Sequence, residues 1–273
     1  MRQKITMNFQ KKASVEERFQ QFLSNCVARG LSEKTMRGYK NHLHCLSKYL
    51  DIAIPLSALT KSEVEMAVAH MRKEELSPNS ICSYLRTFKV FLSWCKEEGY
   101  ADITIPAYKP RETIKETYSD EELKKLLEKP ATNCSFCEYR SWIVIQFLLN
   151  SGCRASTIRN IQNRDVDLES RQVLFRHTKT RKVQVIPLCS TLVAHLKDYM
   201  RIRKGEPEDY LFCNEHGEML TENALRLAIV RYNQQRGVKR TSIHMFRHTF
   251  ARKYLLDCGG NAFTLQKLLG HST

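Results

Sequence analysis

The sequence predicts a mainly α-helical protein of two domains. The first is all-helical; the second is α+β, mostly helical with a small antiparallel β-sheet. Three observations predict this. Apolar residues recur every three or four positions through the first hundred residues, the period of one helix face. The stretch 100–118, with Pro106 and Pro110, cannot continue a helix and separates two periodic regions. After Asp165 two short runs alternate apolar and polar residues, as half-buried strands do. At 273 residues, 42% of them apolar, the chain can fill two cores.

Residues 1–12 form a basic arm without a clear period. Ser14 with Glu17 reads as a capping box, and Val15, Phe19, Phe22, Leu23 and Cys26 mark the buried face of a first helix that Gly30 ends. A second helix begins near Glu33, with Met36, Tyr39, Leu43, Leu46 and Leu50 on one side. Pro55 interrupts. Thr60 and Glu63 form another capping box, and that helix runs to about Glu75. Ser77-Pro78-Asn79 opens a fourth, with Ile81, Tyr84, Leu85, Phe88, Phe91, Leu92 and Cys95 as its stripe and Gly99 as its stop. These helices place the N-terminal domain at 13–99, with 100–118 as linker. The aromatic spacing is that of helix cores rather than a ligand groove.

The second domain, 119–273, opens on a capping box of Ser119 and Glu122. Trp142–Leu149 is apolar all round and predicts a fully buried helix that runs into Ser151-Gly152-Cys153-Arg154. Gln172–Phe175 and Val183–Pro187 read as strands joined by His177–Lys182, with Lys179, Arg181 and Lys182 at the tip. Ser190–Arg203 is helical, and Tyr210-Leu211-Phe212 reads as a short strand. Thr221 caps a helix to about Arg236. Helices over His244–Cys258 and Ala262–Leu269 complete the domain.

The net charge of +15 points to a polyanion, nucleic acid before anionic membrane. Arg37, Lys40, Lys48, Arg86 and Lys89 on the outer helix faces fit a solvated surface or a phosphate-contacting one, and the overall charge tilts them towards DNA. No apolar run approaches a membrane span and no signal peptide opens the chain, so a cytoplasmic protein with no membrane partner is expected. The ten cysteines then read as reduced thiols, mostly on apolar faces, as at Cys45, Cys82 and Cys95. Cys134 and Cys137 have zinc-ligand spacing, but no second pair lies at a suitable distance, so no metal is expected.

Five basic groups fall at structural punctuation points. Arg154 follows a tight turn after the buried helix, and Lys179 tips the hairpin. His244 and Arg247 lie three apart in the first turn of a helix, on one face. His271 follows a Leu-Leu-Gly stop. Guanidiniums can hold the charge of a phosphodiester undergoing transfer, and a Lys or His can protonate the departing alkoxide. Singly, each has a bland reading: a surface arginine, a solvated hairpin tip, a helix-start or terminal histidine. Together they point to a phosphate site. His177 and His248 gain no such support and read as structural.

The order and local sequences of these groups resemble the tyrosine recombinases, or phage integrase family, over nearly the whole chain. The N-terminal half, with Leu-Ser-x-x-Thr-x-x-x-Tyr at Leu31–Tyr39, is similar to the family's core-binding, SAM-like domain. In the catalytic half, Arg154 in Ser-Gly-Cys-Arg matches the first catalytic arginine. Lys179, ahead of Ile186-Pro187-Leu188, matches the hairpin lysine. His244 and Arg247 in His-Met-Phe-Arg-His-Thr match the His-x-x-Arg box, and His271 in Leu-Gly-His-Ser matches the last histidine. The resemblance implies site-specific cutting and rejoining of double-stranded DNA, without a cofactor, through a 3′-phosphotyrosyl intermediate in a homotetramer on two DNA sites.

Two departures accompany it. Thr157 stands where the family has an acidic residue. The family's nucleophilic tyrosine comes shortly after the last histidine, where this sequence has only Ser272 and Thr273. Tyr254 is seven residues beyond Arg247, two turns and roughly 10 Å along a helix axis, too far for in-line attack on a phosphate gripped there. The expectation is a chain that stops short of its nucleophile and binds DNA without cleaving it. Two other readings use the same residues: a silent DNA-binding regulator of a full-length recombinase, and a type IB topoisomerase-like enzyme.

Overall fold

The computed structural model describes residues 13–105, 108, 115–176 and 183–270. The chain divides into two compact units, Met1–Thr113 and Ile114–Thr273.

In the first unit the expected helices form as α1 (Val15–Ala28), α2 (Glu33–Leu46), α3 (Lys61–Lys73) and α4 (Pro78–Glu97). Each starts on a hydroxyl that accepts an otherwise unpaired first-turn N–H. Ser14 with Glu17 and Thr60 with Glu63 make the reciprocal bonds of full capping boxes. The apolar stripes close on one core. Phe91 of α4 is fully buried, its ring centroid 5.2 Å from that of Phe19 and 5.8 Å from that of Phe22 on α1. Leu43 and Leu46 of α2 and Val64, Ala67 and Met71 of α3 fill the remainder. The outer residues Arg37, Lys40, Lys48, Arg86 and Lys89 are exposed. Ile105, in the segment read as a linker, is buried in this core, whereas Tyr118 is buried in the core of the second unit.

The second unit is built around α6 (Phe136–Ser151), which packs against α5 (Asp120–Leu127), α8 (Ser190–Arg203), α9 (Glu222–Gln235) and α10 (Ile243–Leu256). A helix with neighbours on most sides needs apolar residues on most sides, and Trp142–Ile145, Phe147 and Leu148 are buried. The expected complete burial fails at Gln146 and Leu149, which are half-buried. Gln146 instead shares a 2.6 Å hydrogen bond with His195 Nδ1 on α8.

A three-stranded antiparallel sheet, β1 (Val166–Asp167), β2 (Gln172–Phe175) and β3 (Gln184–Pro187), lies in that order. Val173 pairs with Val166 on one side and Ile186 on the other. The tip, His177–Lys182, lies outside the described residues. β1 and the short helix α7 (Ala155–Arg159) give no sequence signal, because two and five residues are too few to show a period.

Tyr210-Leu211-Phe212 is not a strand. Tyr210 makes one isolated bridge, to Gln162, while Leu211 and Phe212 are buried on a bend. The Leu211 N–H donates to the Ile161 carbonyl and its own carbonyl accepts from the Tyr199 hydroxyl, so the backbone is satisfied without a ladder. The last helix, α11 (Ala262–Leu269), forms as expected. Among the described residues no helix is long and apolar enough to cross a membrane.

Gly152 ends α6 in the left-handed region, at φ 59°. A Cβ there would lie 2.3 Å from Phe250 Cδ1 and 2.9 Å from Leu269 Cδ2. Gly259 has a similar φ of 60° but open space around it. Gly152→Ala is therefore expected to cost about 2–4 kcal/mol, overpacking added to backbone strain, and Gly259→Ala only about 1 kcal/mol. Denaturant unfolding of the two variants checks the difference.

Candidate active site

Arg247 is the hub of the site. It lies one turn into α10, and its guanidinium reaches two backbone carbonyls. Nη1 donates to the Gly152 oxygen at 2.8 Å and Nη2 to the Leu269 oxygen at 2.8 Å. Gly152 is the C-cap of α6, and Leu269 is the last residue of α11, itself stopped by the left-handed Gly270. Carbonyls at helix C-termini lack partners within their helix and carry partial negative charge. A planar fork with several donors satisfies two at once. Two helix ends are thereby pinned to the start of a third.

Of the sequence-predicted residues, Arg154 and His244 lie near Arg247. Arg154 stands two residues after Gly152, at the N-cap of α7, half-buried. It lies close enough to Arg247 for the two charges to repel. Burial first, and then the Arg154 charge, push the Arg247 pKa down to about 10, against a smaller opposing effect of Cys153. At about 10, the Arg247 guanidinium stays charged near neutrality. His244 is exposed in the first turn of α10, one turn before Arg247. Lys179 and His271 lie outside the described residues. The elements that flank them do converge: Gln184 of β3 donates from Nε2 to the Lys267 carbonyl near the end of α11, at 2.8 Å.

Thr157 is buried in α7, its backbone N–H bonded to the Arg154 carbonyl at 2.9 Å. Tyr254 is half-buried, its ring packed beside Phe250 at the opposite end of α10 from His244. The cysteine beside the site, Cys153, is fully buried, and burial pushes its thiol up to about 11, so it is a packing residue rather than a nucleophile.

The segment 115–118 runs across α10 and the loop before it. The Tyr118 N–H donates to Thr249 Oγ1 at 3.0 Å, and the Thr117 carbonyl accepts from Arg240 Nη1 at 3.0 Å. The Tyr118 hydroxyl donates to the Ser242 carbonyl at 3.3 Å and accepts from Asn233 Nδ2 at 3.0 Å. Its ring lies 4.4 Å from that of Phe246. Ser242 gives no side-chain cap, so Tyr118 and Thr249 orient the first turns of α10 in place of a local capping residue.

Sequence reasoning missed two basic residues at this place. His248, read as structural, stands one turn from His244 and next to Arg247. Burial first, then Lys115, His244 and Arg247, hold its imidazole below the ordinary histidine range. The i, i+4 spacing of His244 and His248 was a usable signal. Lys115 had none, since only the course of residues 115–118 brings it there. No ion pair joins Arg154, His244, His248 or Lys115 to a carboxylate of the described residues. A half-buried cationic surface of this kind suits an oxyanion.

The two-carbonyl grip predicts that charge alone cannot replace Arg247. Arg247→Lys keeps the charge but loses the fork, and is expected to destabilise the protein by about 1–3 kcal/mol in urea unfolding, because a buried helix-end carbonyl loses its donor.

Known proteins resemble this chain in sequence and in fold. Residues 116–273 match the phage integrase family, and residues 17–99 match the phage integrase N-terminal SAM-like domain. The chain is similar to tyrosine recombinase XerD of Listeria innocua, 26% identical over 262 residues that cover 90% of this chain and 86% of that protein. It is equally similar to tyrosine recombinase XerC of Shewanella amazonensis, 26% identical over 267 residues, 95% and 88% of the two chains. Among solved structures, a lambda integrase dimer bound to a COC′ core site shares the fold with a TM-score of 0.76 at 17% identity, covering 96% of each chain. The Tn1549 transposon integrase in complex with a circular intermediate DNA shares it with a TM-score of 0.77 at 19% identity, covering 96% of this chain and 93% of that one. With the SAM-like domain, the small sheet and the arginine pair in one polypeptide, this chain belongs to the phage integrase family, the tyrosine recombinases.

Proposed function

We propose that this protein acts on double-stranded DNA as a site-specific recombinase, gripping one phosphodiester of the duplex between Arg154 and Arg247. The observation that carries the reading is the Arg154–Arg247 pair: two guanidiniums, close enough to repel, at the convergence of three helix ends. In water their mutual repulsion would drive them apart. A phosphate between them turns that repulsion into two attractions.

In the reaction proposed for the family's active form, a tyrosine oxygen attacks the phosphorus and the bond to the 5′ oxygen breaks. The products are a 3′-phosphotyrosyl ester and a free 5′ hydroxyl. Arg154 and Arg247 hold the non-bridging oxygens as charge builds on them. Lys179 gives its proton to the leaving 5′ oxygen, His244 takes the proton of the attacking hydroxyl, and His271 hydrogen-bonds to the phosphate. Arginine charge and lysine acid cover both needs of phosphoryl transfer without a cofactor. The proposed assembly is a homotetramer on two DNA sites. A lambda integrase tetramer bound to a Holliday junction has the same fold, at a TM-score of 0.77 and 17% identity, which supports this reading.

The polypeptide of residues 1–273 itself is proposed to bind DNA without forming the covalent bond. Tyr254 sits seven residues from Arg247 on the same helix, roughly 10 Å along its axis. A duplex selected from a random pool and then nicked as a suicide substrate is expected to give no covalent adduct with this polypeptide. An adduct mapping to Tyr254 would end that assignment.

Binding of the selected duplex is expected to weaken linearly in log–log form as salt rises, by about 0.9 per phosphate neutralised. Arg154→Gln is expected to lower affinity about 10- to 100-fold and to reduce that slope by about one. Fluorescence anisotropy across a salt series checks both. An affinity independent of salt would overturn the DNA reading.

A further inference from the structure

The cationic surface continues past the pair that grips one phosphate. Lys115 is exposed at the start of the segment 115–118. That segment is held on α10 by the Tyr118 N–H bond to Thr249 Oγ1, by the Thr117 carbonyl bond to Arg240 and by the Tyr118–Phe246 ring contact. Lys115, three residues before Tyr118, is near enough to His248 for its charge to act on that imidazole. His244 and His248 are four apart on the helix, their Cβ atoms roughly 5–6 Å from each other. The first turn of α10 adds N–H groups that no side chain caps. Three side chains from two segments thus line a basic strip next to Arg247, and none has a carboxylate partner among the described residues.

We propose that Lys115, His248 and the open first turn of α10 form a second phosphate subsite, which takes the phosphodiester next to the one held by Arg154 and Arg247. The inference rests on the DNA reading above and deepens it. Neighbouring phosphates on one strand are separated by about the length of a long side chain. One held phosphate therefore presents a second charge to the adjoining strip. Lys115 supplies a permanent charge on a flexible stem. His248 supplies a conditional one, because in the free protein its charged form is disfavoured by burial and by the cations facing it. Those are His244 and Arg247 on its own helix and Lys115 on the docked segment. A bound phosphate reverses that balance, so His248 takes up a proton as DNA binds. The strip would then fix the strand's direction across the site, with two phosphates held rather than one.

The test uses the full chain and the selected duplex, unnicked. Lys115→Ala, an exposed change with little effect on folding, and His248→Gln are each measured by anisotropy across a salt series at pH 6. Each is expected to weaken binding about 3- to 10-fold, and the double variant to lose about one unit of salt slope. In parallel, the His248 imidazole signal, identified by its absence in His248→Gln, is titrated by NMR with and without DNA. It is expected to titrate below the ordinary histidine range when free and to move upwards when bound. Unchanged salt slopes in all three variants, with Arg154→Gln still reducing the slope, would overturn the second subsite and leave the proposed function standing. A His248 titration that DNA does not move would also overturn it. Loss of salt dependence in the unmodified protein would bring down both readings.

Discussion

The second unit depends on one guanidinium. Arg247 closes the C-termini of α6 and α11 at once, through the carbonyls of Gly152 and Leu269. Both helices end on a glycine in the left-handed region, which turns the chain sharply and exposes the last carbonyls in one direction. A permanent cation with a rigid fork can answer both. The arrangement is structural and chemical together. Arg154 stands two residues after Gly152, so a bond that stabilises the fold also limits where this candidate group can lie.

The cost of this design is electrostatic. Burial and the neighbouring Arg154 both work against charge on Arg247, and three cations work against it on His248. Elsewhere in the unit some basic side chains are neutralised locally: Arg176 pairs with buried Asp165, and Arg236 with Glu138. Around α10's first turn no such carboxylate pairs with Arg154, His244, His248 or Lys115 among the described residues. The protein thus concentrates uncompensated charge where the helix ends converge. In the proposed function a polyanion supplies the missing charges, and its desolvated contacts there are stronger than the same contacts on an open surface. The overall charge of +15 adds long-range attraction but no position.

Local signals were legible wherever one short stretch carried the whole cause. The capping boxes at Ser14, Thr60 and Ser119 appear with both reciprocal bonds, because a cap needs only residues three apart. The buried faces of α1 and α4 were legible because a long helix repeats its pattern several times. Tyr210-Leu211-Phe212 misled for the opposite reason. Three apolar residues show no period, and their burial on a bend is decided by Tyr199 and Ile161 elsewhere in the chain. α10 shows both regimes. Its extent was nearly readable from 244 onwards, but the absence of a cap at Ser242, and the brace from Tyr118 that replaces it, were not. His248 was set aside, and Lys115, whose charge acts on it, lies more than a hundred residues earlier.

By itself the sequence determined the helical character of both halves, the hairpin, the sign of the protein's own charge and the order of the basic groups. Each of these follows from residue type and spacing within a turn or two. Only the tertiary structure decided which cations face one another. Arg154 comes near Arg247 because two helix-end carbonyls share one guanidinium, and the charge of Lys115 acts on His248 because a buried tyrosine lays its segment across α10. Such meetings depend on the summed packing of distant elements, and no window along the chain contains that information.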